Sequence, residues 1–345
     1  MRKTLHSLLN AQQSGLILVI LLLGASLTFS AGSHTNRLTG EEVNNFFNKH
    51  TLVQTATDAA PFAIMAVGAT LVIISGGIDL SVGSIYALAG VTMALVLRMC
   101  GLESSTQNIL LGAGLCVGIG LLCGFLNGVL VVGLRVHPFI ITLGSMWVLR
   151  GIAFVISKAE SILVPTALTD VAKSTFGMSD ALYPVPMLVM ILVTVFGAVY
   201  LSKTVMGRHI YAIGGSVEAS RYSGLRIGRI LIGVYTLSGL TAGIAAFVGS
   251  SYYGSASCAD ATGYELYVIA SAVVGGASLS GGKGSAINAL LGALLIVLIR
   301  QSIRTLHFDQ NYEWIIIGCA IVIAVVLDQV NTRLAAKRLI KTSTT

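Results

Sequence analysis

The chain has 345 residues, of which 55% are hydrophobic and only 10% charged, with a mean hydropathy of +0.86. A soluble domain carries about 25% Asp, Glu, Lys and Arg, so lipid is the main solvent here. Spans of about 20 residues let such a chain cross a bilayer about ten times, with short loops and no room for an attached ATPase or receptor domain. The net charge of +7, from 21 basic and 14 acidic residues, comes from loops between apolar runs. No aromatic-interleaved basic stripe accompanies it, so nucleic acid is not an expected partner. Five cysteines (Cys100, Cys116, Cys123, Cys258, Cys319) are odd in number and form no CxxC pair. That argues against a metal site or a disulfide framework. Cys116, Cys123 and Cys319 fall inside apolar runs and read as small packing residues.

Uncharged apolar stretches occur in chain order at 16–31, 59–75, 82–97, 108–134, 139–157, 185–202, 230–252, 266–280, 285–299 and 314–327. None shows the alternation of a barrel strand, and in hydrocarbon each backbone polar group must bond internally. The expected fold is all-α: a polytopic membrane helical bundle of about ten transmembrane helices, a single transmembrane domain over residues 1–345. The first run follows Met1-Arg2-Lys3 and shares features of a secretory signal, with Ser30-Ala31-Gly32-Ser33 as a weak cleavage site. Nine further runs favour a retained anchor. An alternating ten-span arrangement with both termini on one side puts 13 basic residues on that side and 7 on the other, with Arg150 inside a span. The excess marks the cytoplasmic face, so both termini are expected inside. The longest outer segments are then 32–58 and 158–184. In the first, Asn44-Asn45-Phe46-Phe47 followed by Leu52-Val53 suits an interfacial helix.

Two pairs of runs are separated only by glycine-rich breaks, one at Ser75-Gly76-Gly77-Ile78-Asp79-Leu80-Ser81 and one near 280–284. Several helices there hold only about 15 residues, or ~22 Å, short of the ~30 Å hydrocarbon core, so short, broken or re-entrant helices are expected. Gly76-Gly77-x-x-Leu80-Ser81 recurs as Gly275-Gly276-x-x-Leu279-Ser280, and Ala87-Leu88-x-Gly90 as Ala289-Leu290-x-Gly292, which suggests an internal duplication.

Asp79 is an isolated carboxylate between apolar runs. Either it or Ser81 caps the next helix through backbone N–H groups, or it contacts solute or ion in the pathway, where half-helix ends line transport sites. Arg150 lies about 11 residues, hence ~16 Å, past Phe139 and needs a carbonyl or carboxylate partner. Trp147 is one turn away, and an aromatic beside a cation suits a polyhydroxylated solute as well as Arg150 suits an internal ion pair. His137-Pro138 reads as a turn with a helix-starting proline. Gly114, Gly118, Gly120, Gly124 and Gly128, with Gly239 and Gly243 later, give GxxxG spacings for close helix approach or a subunit contact. Asn127 shares the first of these helices and either bonds to a neighbour or lines the pathway.

The basic segment 203–229 is too patterned for a tether. After a Gly214-Gly215 turn, Val217 to Tyr222 reads as a short helix capped by Ser216 and ending at Gly224, able to dock in a partner or to lie on anionic headgroups of membrane lipid. Gly281-Gly282-Lys283-Gly284-Ser285 fails the phosphate-loop pattern, because Ala277 stands at its first position and Gly284 follows Lys283. HExxH and GxSxG are absent too, so no enzyme activity is expected of the chain.

Ser75-Gly76-Gly77-Ile78-Asp79-Leu80-Ser81-Val82-Gly83-Ser84 resembles the signature of permease subunits in bacterial ATP-binding cassette (ABC) importers of the ribose, xylose, arabinose and galactoside type. Pro138-Phe139-Ile140-Ile141-Thr142-Leu143 with Leu149-Arg150-Gly151, Tyr211-Ala212-Ile213-Gly214-Gly215, and Ser271-Ala272-Val273-Val274-Gly275-Gly276 with Leu279-Ser280-Gly281-Gly282 extend the likeness over roughly 55–330. Within that family the sequence is most similar to the furanose-type permeases. The resemblance implies a permease pair, homo- or heterodimeric, in the bacterial inner membrane. It also implies two ATPase subunits, which bind the ATP, docked on cytoplasmic segment 203–229, and a periplasmic or lipoprotein solute-binding protein outside. The coupling role falls on Arg208, Gly214, Gly215, Glu218, Ala219, Ser220 and Gly224, and the expected pathway residues are Asp79, Ser81, Asn127, Trp147 and Arg150. The implied cargo is a monosaccharide. Related permeases also move nucleosides and other small solutes, and a stand-alone ion-coupled transporter would suit the paired breaks as well.

Overall fold

The computed structural model describes residues 2–35, 40, 42–101, 105–177, 182–320, 322, 323 and 326. Its helices are α1 (Arg2–Ser30), α2 (Lys49–Ile74), α3 (Val82–Cys100), α4 (Ser105–Leu134), α5 (Pro138–Ser157), α6 (Thr166–Ala172), α7 (Val185–Lys203), α8 (Val205–Gly215), α9 (Val217–Tyr222), α10 (Ile227–Tyr253), α11 (Tyr264–Val274) and α12 (Ala286–Thr305). Among the described residues eight helices are long and apolar enough to cross a membrane: α1 from Gln13 onward, α2, α3, α4, α5, α7, α10 and α12. The run expected at 266–280 holds instead the 11-residue α11. At about 16 Å it cannot span alone. Residues 312–320 continue as helix after α12, and the remainder of the last expected run lies mostly outside the described residues.

The bundle is organised around α2, which is buried along nearly its whole length. Helices α7, α10, α11 and α12 pack against it, α3 packs on α4, α5 and α10 instead, and α1, α4, α5 and α7 keep apolar outer faces exposed. In lipid, exclusion of water does not pull helices together, so they associate through close van der Waals packing and hydrogen bonds. That explains the glycines. Cβ atoms on Gly120 and Gly124 would strike the α10 carbonyls of Gly239 and Tyr235, and one on Gly128 would lie 2.8 Å from the Ile232 Cα. Gly239 and Gly243 are therefore buried against α4 of the same chain, not in a subunit contact. Gly114 and Gly118 face open space. Cys116 and Cys123 are packed inside, as expected, but Cys319 is exposed.

At the end of the bundle opposite α8 and α9 lie two short antiparallel strand pairs, the first joining segments distant in sequence and the second a local hairpin. Strand β3 (Ile162–Leu163) pairs with β4 (Ser255–Ala256), and β1 (Ser33–Thr35) with β2 (Glu42–Asn44). Of the stretch expected as an interfacial helix, Asn44 ends β2, residues 45–48 are bends, and Leu52 and Val53 lie in the first turns of α2. Asn44 Nδ2 donates to Thr28 O and its Oδ1 accepts from the backbone of Phe46 and Phe47. Asn45 Nδ2 donates to Ala31 O, and Asn48 caps α2 by accepting from Thr51 N. Asparagines that bond to nearby backbone compete with helix, so α2 starts only at Lys49. Leu27, Ala31 and Phe46 then pack on Leu298 and hold α1 against α12.

The glycine seam carries a prediction. Gly124→Leu forces α4 off α10 and is expected to cost at least the ~1–3 kcal/mol of an overpacked core site. The purified protein in detergent should melt at lower temperature, while Gly118→Leu on the open face should melt like the parent. Equal melting of both variants would rule out this packing.

Candidate functional site

The first break starts where α2 ends. Gly76 adopts φ +86° and donates to Ile73 O, and Gly77 donates to Val72 O, closing the helix with a left-handed glycine cap. The second break repeats this geometry: Gly276 has φ +91° and donates to Val273 O, and Ala277 donates to Ala272 O. The two glycine strings thus encode one backbone device, in keeping with the suggested duplication.

Beyond the first cap, Asp79 is 1% exposed, with both carboxylate oxygens occupied. Its Oδ1 accepts from Ser81 N at 3.0 Å and Ser81 Oγ at 2.6 Å, and its Oδ2 accepts from Ser238 Oγ on α10 at 2.8 Å. Ser81 Oγ accepts in turn from Asn127 Nδ2 on α4 at 2.7 Å. Thr142 Oγ1 on α5 donates to Ile78 O. Asp79, Ser81 and Asn127 are therefore brought into one buried network that ties the break to three helices. Asn127 stands seven residues before Leu134, the end of α4, which places the network about 10 Å inside that end of the bundle. Ser238 and Thr142 were not legible as members: Ser238 lies 159 residues from Asp79 in an ordinary apolar run. The buried Tyr235 hydroxyl, one turn before Ser238, has no hydrogen-bond partner among the described residues, and a Cβ on Gly77 would come within 2.5 Å of it.

Arg150 is 9% exposed and serves a second function. Nη1 donates to Cys258 O at 2.7 Å and Asp260 O at 2.6 Å, and Nη2 to Ala261 O at 3.3 Å. A fork of fixed donors on three carbonyls clamps the loop between α10 and α11. Asp260 lies in this loop; burial raises its carboxyl above the usual range, opposed by the Ser257 N–H and the Arg150 charge. Gly83 allows α3 to approach, since its Cβ would sit 2.6 Å from Ala261 O and 2.7 Å from Glu265 Oε2. The expected pairing of Trp147 with Arg150 does not occur: Trp147 is 69% exposed on the outer face of α5 while Arg150 points inward. His137 ends the preceding loop by accepting from Phe139 N, with Pro138 opening the helix as expected.

Segment 203–229 folds into α8 and α9. Thr204 caps α8 by accepting from Gly207 N, and Ser216 caps α9 by accepting from Ala219 N at 3.2 Å. Gly224, at φ +78°, closes the end of α9 by donating to Arg221 O. Gly214 and Gly215 form the last turn of α8, not a free turn. Gly214 presses on both breaks: a Cβ there would collide with Ile74 O and Gly282 N, and Gly282 N itself donates to Ile74 O at 2.8 Å. Tyr211 Oη donates to Gly284 O at 2.7 Å, and Ile210 and Ile213 are buried with Leu71 and Ile74. Ser220 is also buried. Of the expected coupling residues, Arg208, Gly215, Glu218, Ala219 and Gly224 are exposed, whereas Gly214 and Ser220 face inward and seat the segment.

Membrane-crossing helices, two matched breaks held by buried polar groups, and a capped helical pair resting on both breaks define a polytopic membrane permease. The chain belongs to the family described as "Branched-chain amino acid transport system / permease component", matched over residues 51–325. It is 37% identical to the ribose import permease protein of Escherichia coli (strain K12), covering 92% of this chain and 93% of that protein. It is 33% identical to the fructose import permease protein of Rhizobium meliloti, covering 84% and 81%. Identity to the D-allose transport system permease protein of Escherichia coli (strain K12) is also 33%, over 82% and 85%. No solved structure matches the chain significantly. As a member of this family it is a multi-pass protein of the inner membrane.

The two polar clusters predict different phenotypes. Asp79→Ala strands Ser81 and Ser238 hydroxyls at about 1–3 kcal/mol for each buried group left unsatisfied, so it should lower the melting temperature more than Ser238→Ala. Equal melting would dissolve the network. Arg150→Ala should speed hydrogen exchange in residues 255–263, and Trp147→Ala should not; unchanged exchange in the former would remove the clamp.

Proposed function

We propose that the chain is the membrane-spanning subunit of an ABC importer that translocates a monosaccharide delivered by a solute-binding protein, powered by separate ATPase subunits. Relatives named for ribose, fructose and allose support a monosaccharide. Both termini are cytoplasmic on this reading. Arg135, Lys203, Arg208, Arg221, Arg226, Arg229 and Lys283 gather at the α8–α9 end, and the positive-inside rule favours that end as cytoplasmic.

The observation that carries the proposal is the seating of α8 on both breaks, with α9 projecting from it. Glu218 lies in the first turn of α9 and Arg221 in the last, each complementing the helix dipole, so α9 is a stiff exposed handle. ATP-driven closure of the ATPase subunits would move this handle, and Gly214 would carry the displacement to Ile74 and Gly282. The breaks then shift the helices that border the solute path, with Asp79, Ser81, Asn127 and Arg150 holding the two conformations and Trp147 on the face open to a second permease subunit. Gly215, Ala219 and Gly224 offer the ATPase a surface without bulky side chains, flanked by Arg208 and Glu218; Ser220 holds α9 in place from beneath. A secondary transporter needs a carboxylate free to take and release an ion, and Asp79 already accepts three hydrogen bonds.

Glu218→Arg is expected to insert normally yet uncouple ATP hydrolysis from uptake in reconstituted importer. Gly214→Ala, which cannot seat α8, should reduce uptake to near background with ATPase subunits still bound. Normal coupled uptake in both variants would overturn the assignment of the handle.

A further inference from the structure

Helices α4 and α10 run antiparallel, and their seam continues to the end of the bundle where α8 and α9 lie. A Cβ on Gly128 would meet the Ile232 backbone, and one on Gly228 would lie 2.8 Å from Val132 Cγ1. Arg135 follows Val132 by three residues, just past the end of α4, and Arg226 and Arg229 stand either side of Gly228 at the start of α10. The seam therefore gathers three guanidinium groups within about one helical turn of a single contact. All three are exposed. None has an ion pair or a side-chain hydrogen bond among the described residues, where the ion pairs are Arg300–Glu313 and Arg304–Asp58 at the opposite end.

These cations are held together at a cost. Like charges repel, and among the described residues Glu218 is the only carboxylate exposed at this end. Arg135 also adopts φ +54°, a left-handed conformation that glycine takes freely and other residues resist. The position suits glycine and yet carries a cation beside two others. The surface next to them is apolar and open. Leu126, Leu130 and Leu134 form one exposed row on the outer face of α4, aligned by their spacing of four. Phe139 and Ile140 continue it at the start of α5. Gly133 has open space where a side chain would stand.

We infer that the corner formed by Arg135, Arg226 and Arg229 binds the headgroup of an anionic phospholipid, with an acyl chain lying along the leucine row. A free anion would use the guanidinium groups and leave the row bare, and an acidic segment of a soluble partner would meet the row with polar side chains. A phospholipid of net negative charge suits both parts. Its phosphate oxygens accept charge-assisted, bidentate hydrogen bonds from arginine, and its chain continues into the hydrocarbon that the row already faces. Basic pockets between membrane helices take such headgroups. A zwitterionic lipid brings its own cation, which three guanidinium groups repel. Arg226 lies in the short link between α9 and α10, so the bound lipid fixes the joint by which α9 is attached to the bundle.

The test uses the full-length chain purified in dodecyl maltoside, with native mass spectrometry to measure bound phospholipid. Dioleoylphosphatidylglycerol should be retained in preference to dioleoylphosphatidylcholine, which has the same chains. The triple variant Arg135→Gln, Arg226→Gln, Arg229→Gln should bind phosphatidylglycerol about tenfold more weakly, the loss of one good contact. Removing three charges elsewhere at the same end, with Lys203→Gln, Arg221→Gln and Lys283→Gln, should leave binding at the parent level. Equal weakening in both triple variants would reveal a diffuse positive surface, and parent-like binding in both would reveal no contact; either overturns the site. Arg135→Gly gives a readout that a purely structural role would not move. Without lipid it should melt above the parent, because the left-handed strain is relieved, yet phosphatidylglycerol should raise its melting temperature less than the parent's. An equal rise would overturn the inference. Inorganic phosphate at the same concentration should raise the parent's melting temperature less than the lipid does; an equal rise would make this a site for a free anion. In reconstituted importer the Arg135, Arg226 and Arg229 variant should keep its ATPase subunits. Their loss, with phosphatidylglycerol still bound, would assign the surface to the ATPase and overturn the lipid.

Discussion

The carbonyl oxygen of Ile74 closes the described helix of α2, and Gly282 N–H reaches it from a segment 208 residues further along the chain. Helix ends leave carbonyls without partners, and within a bilayer an unpartnered carbonyl is expensive. The bond between Ile74 and Gly282 therefore does more than satisfy one acceptor. It brings the first break beside the second and creates the flat backbone surface on which Gly214 rests. With any side chain at Gly214, α8 would stand away from that surface, and the α8–α9 segment would lose its contact with both breaks.

The same constraint explains why polar residues are concentrated where they are. The interior of α2 and its neighbours is mostly Ala, Ile, Val and Met, and such a core needs no hydrogen bonds. Each break exposes backbone, and each attracts polar partners: Asp79, Ser81, Asn127, Ser238 and Thr142 at the first, Tyr211 and Gly214 at the second. Arg150 follows the same logic by satisfying three carbonyls of an irregular loop. A buried charge is retained when it is hydrogen-bonded on all sides, and its removal then leaves several groups unpaired at once.

Local features were legible in the sequence because local chemistry determines them. Apolar runs gave the helices, Gly76 and Gly276 the two caps, Ser216 the start of α9, and Pro138 the start of α5. Features that depend on which distant segments meet were not. Asp79 announced itself as an isolated charge, yet Ser238 had no distinguishing neighbourhood. Trp147 and Arg150 are three residues apart, a spacing that puts two side chains near one another without deciding which of them faces inward. The Asp58 and Arg304 pair spans 246 residues, and nothing about either residue alone suggested the other. The stretch Asn44–Asn48 differs in kind: its apolar pattern suits a helix, but three asparagines bonded to backbone hold it out of one, and helix begins at Lys49.

A switch must also be poised in energy, and the seat of α8 has a suitable size. Packed interfaces do not deform gradually; they exchange one arrangement for another. Reversing a two-state equilibrium from 1:99 to 99:1 takes about 5.5 kcal/mol of differential interaction. Ile210 and Ile213, each fully buried beneath α8, contribute about 1.5–3 kcal/mol apiece, and the Tyr211 bond to Gly284 adds about 0.5–1.5 kcal/mol. On the proposed reading, lifting or rotating α8 costs nearly the amount needed to reverse the population of the breaks. Much tighter packing would lock the handle against its motor, and much looser packing would let the handle move without the breaks following. On that same reading, three glycine backbones in contact, with two isoleucines and one tyrosine at the margin, form a joint that is firm in each position and still releasable.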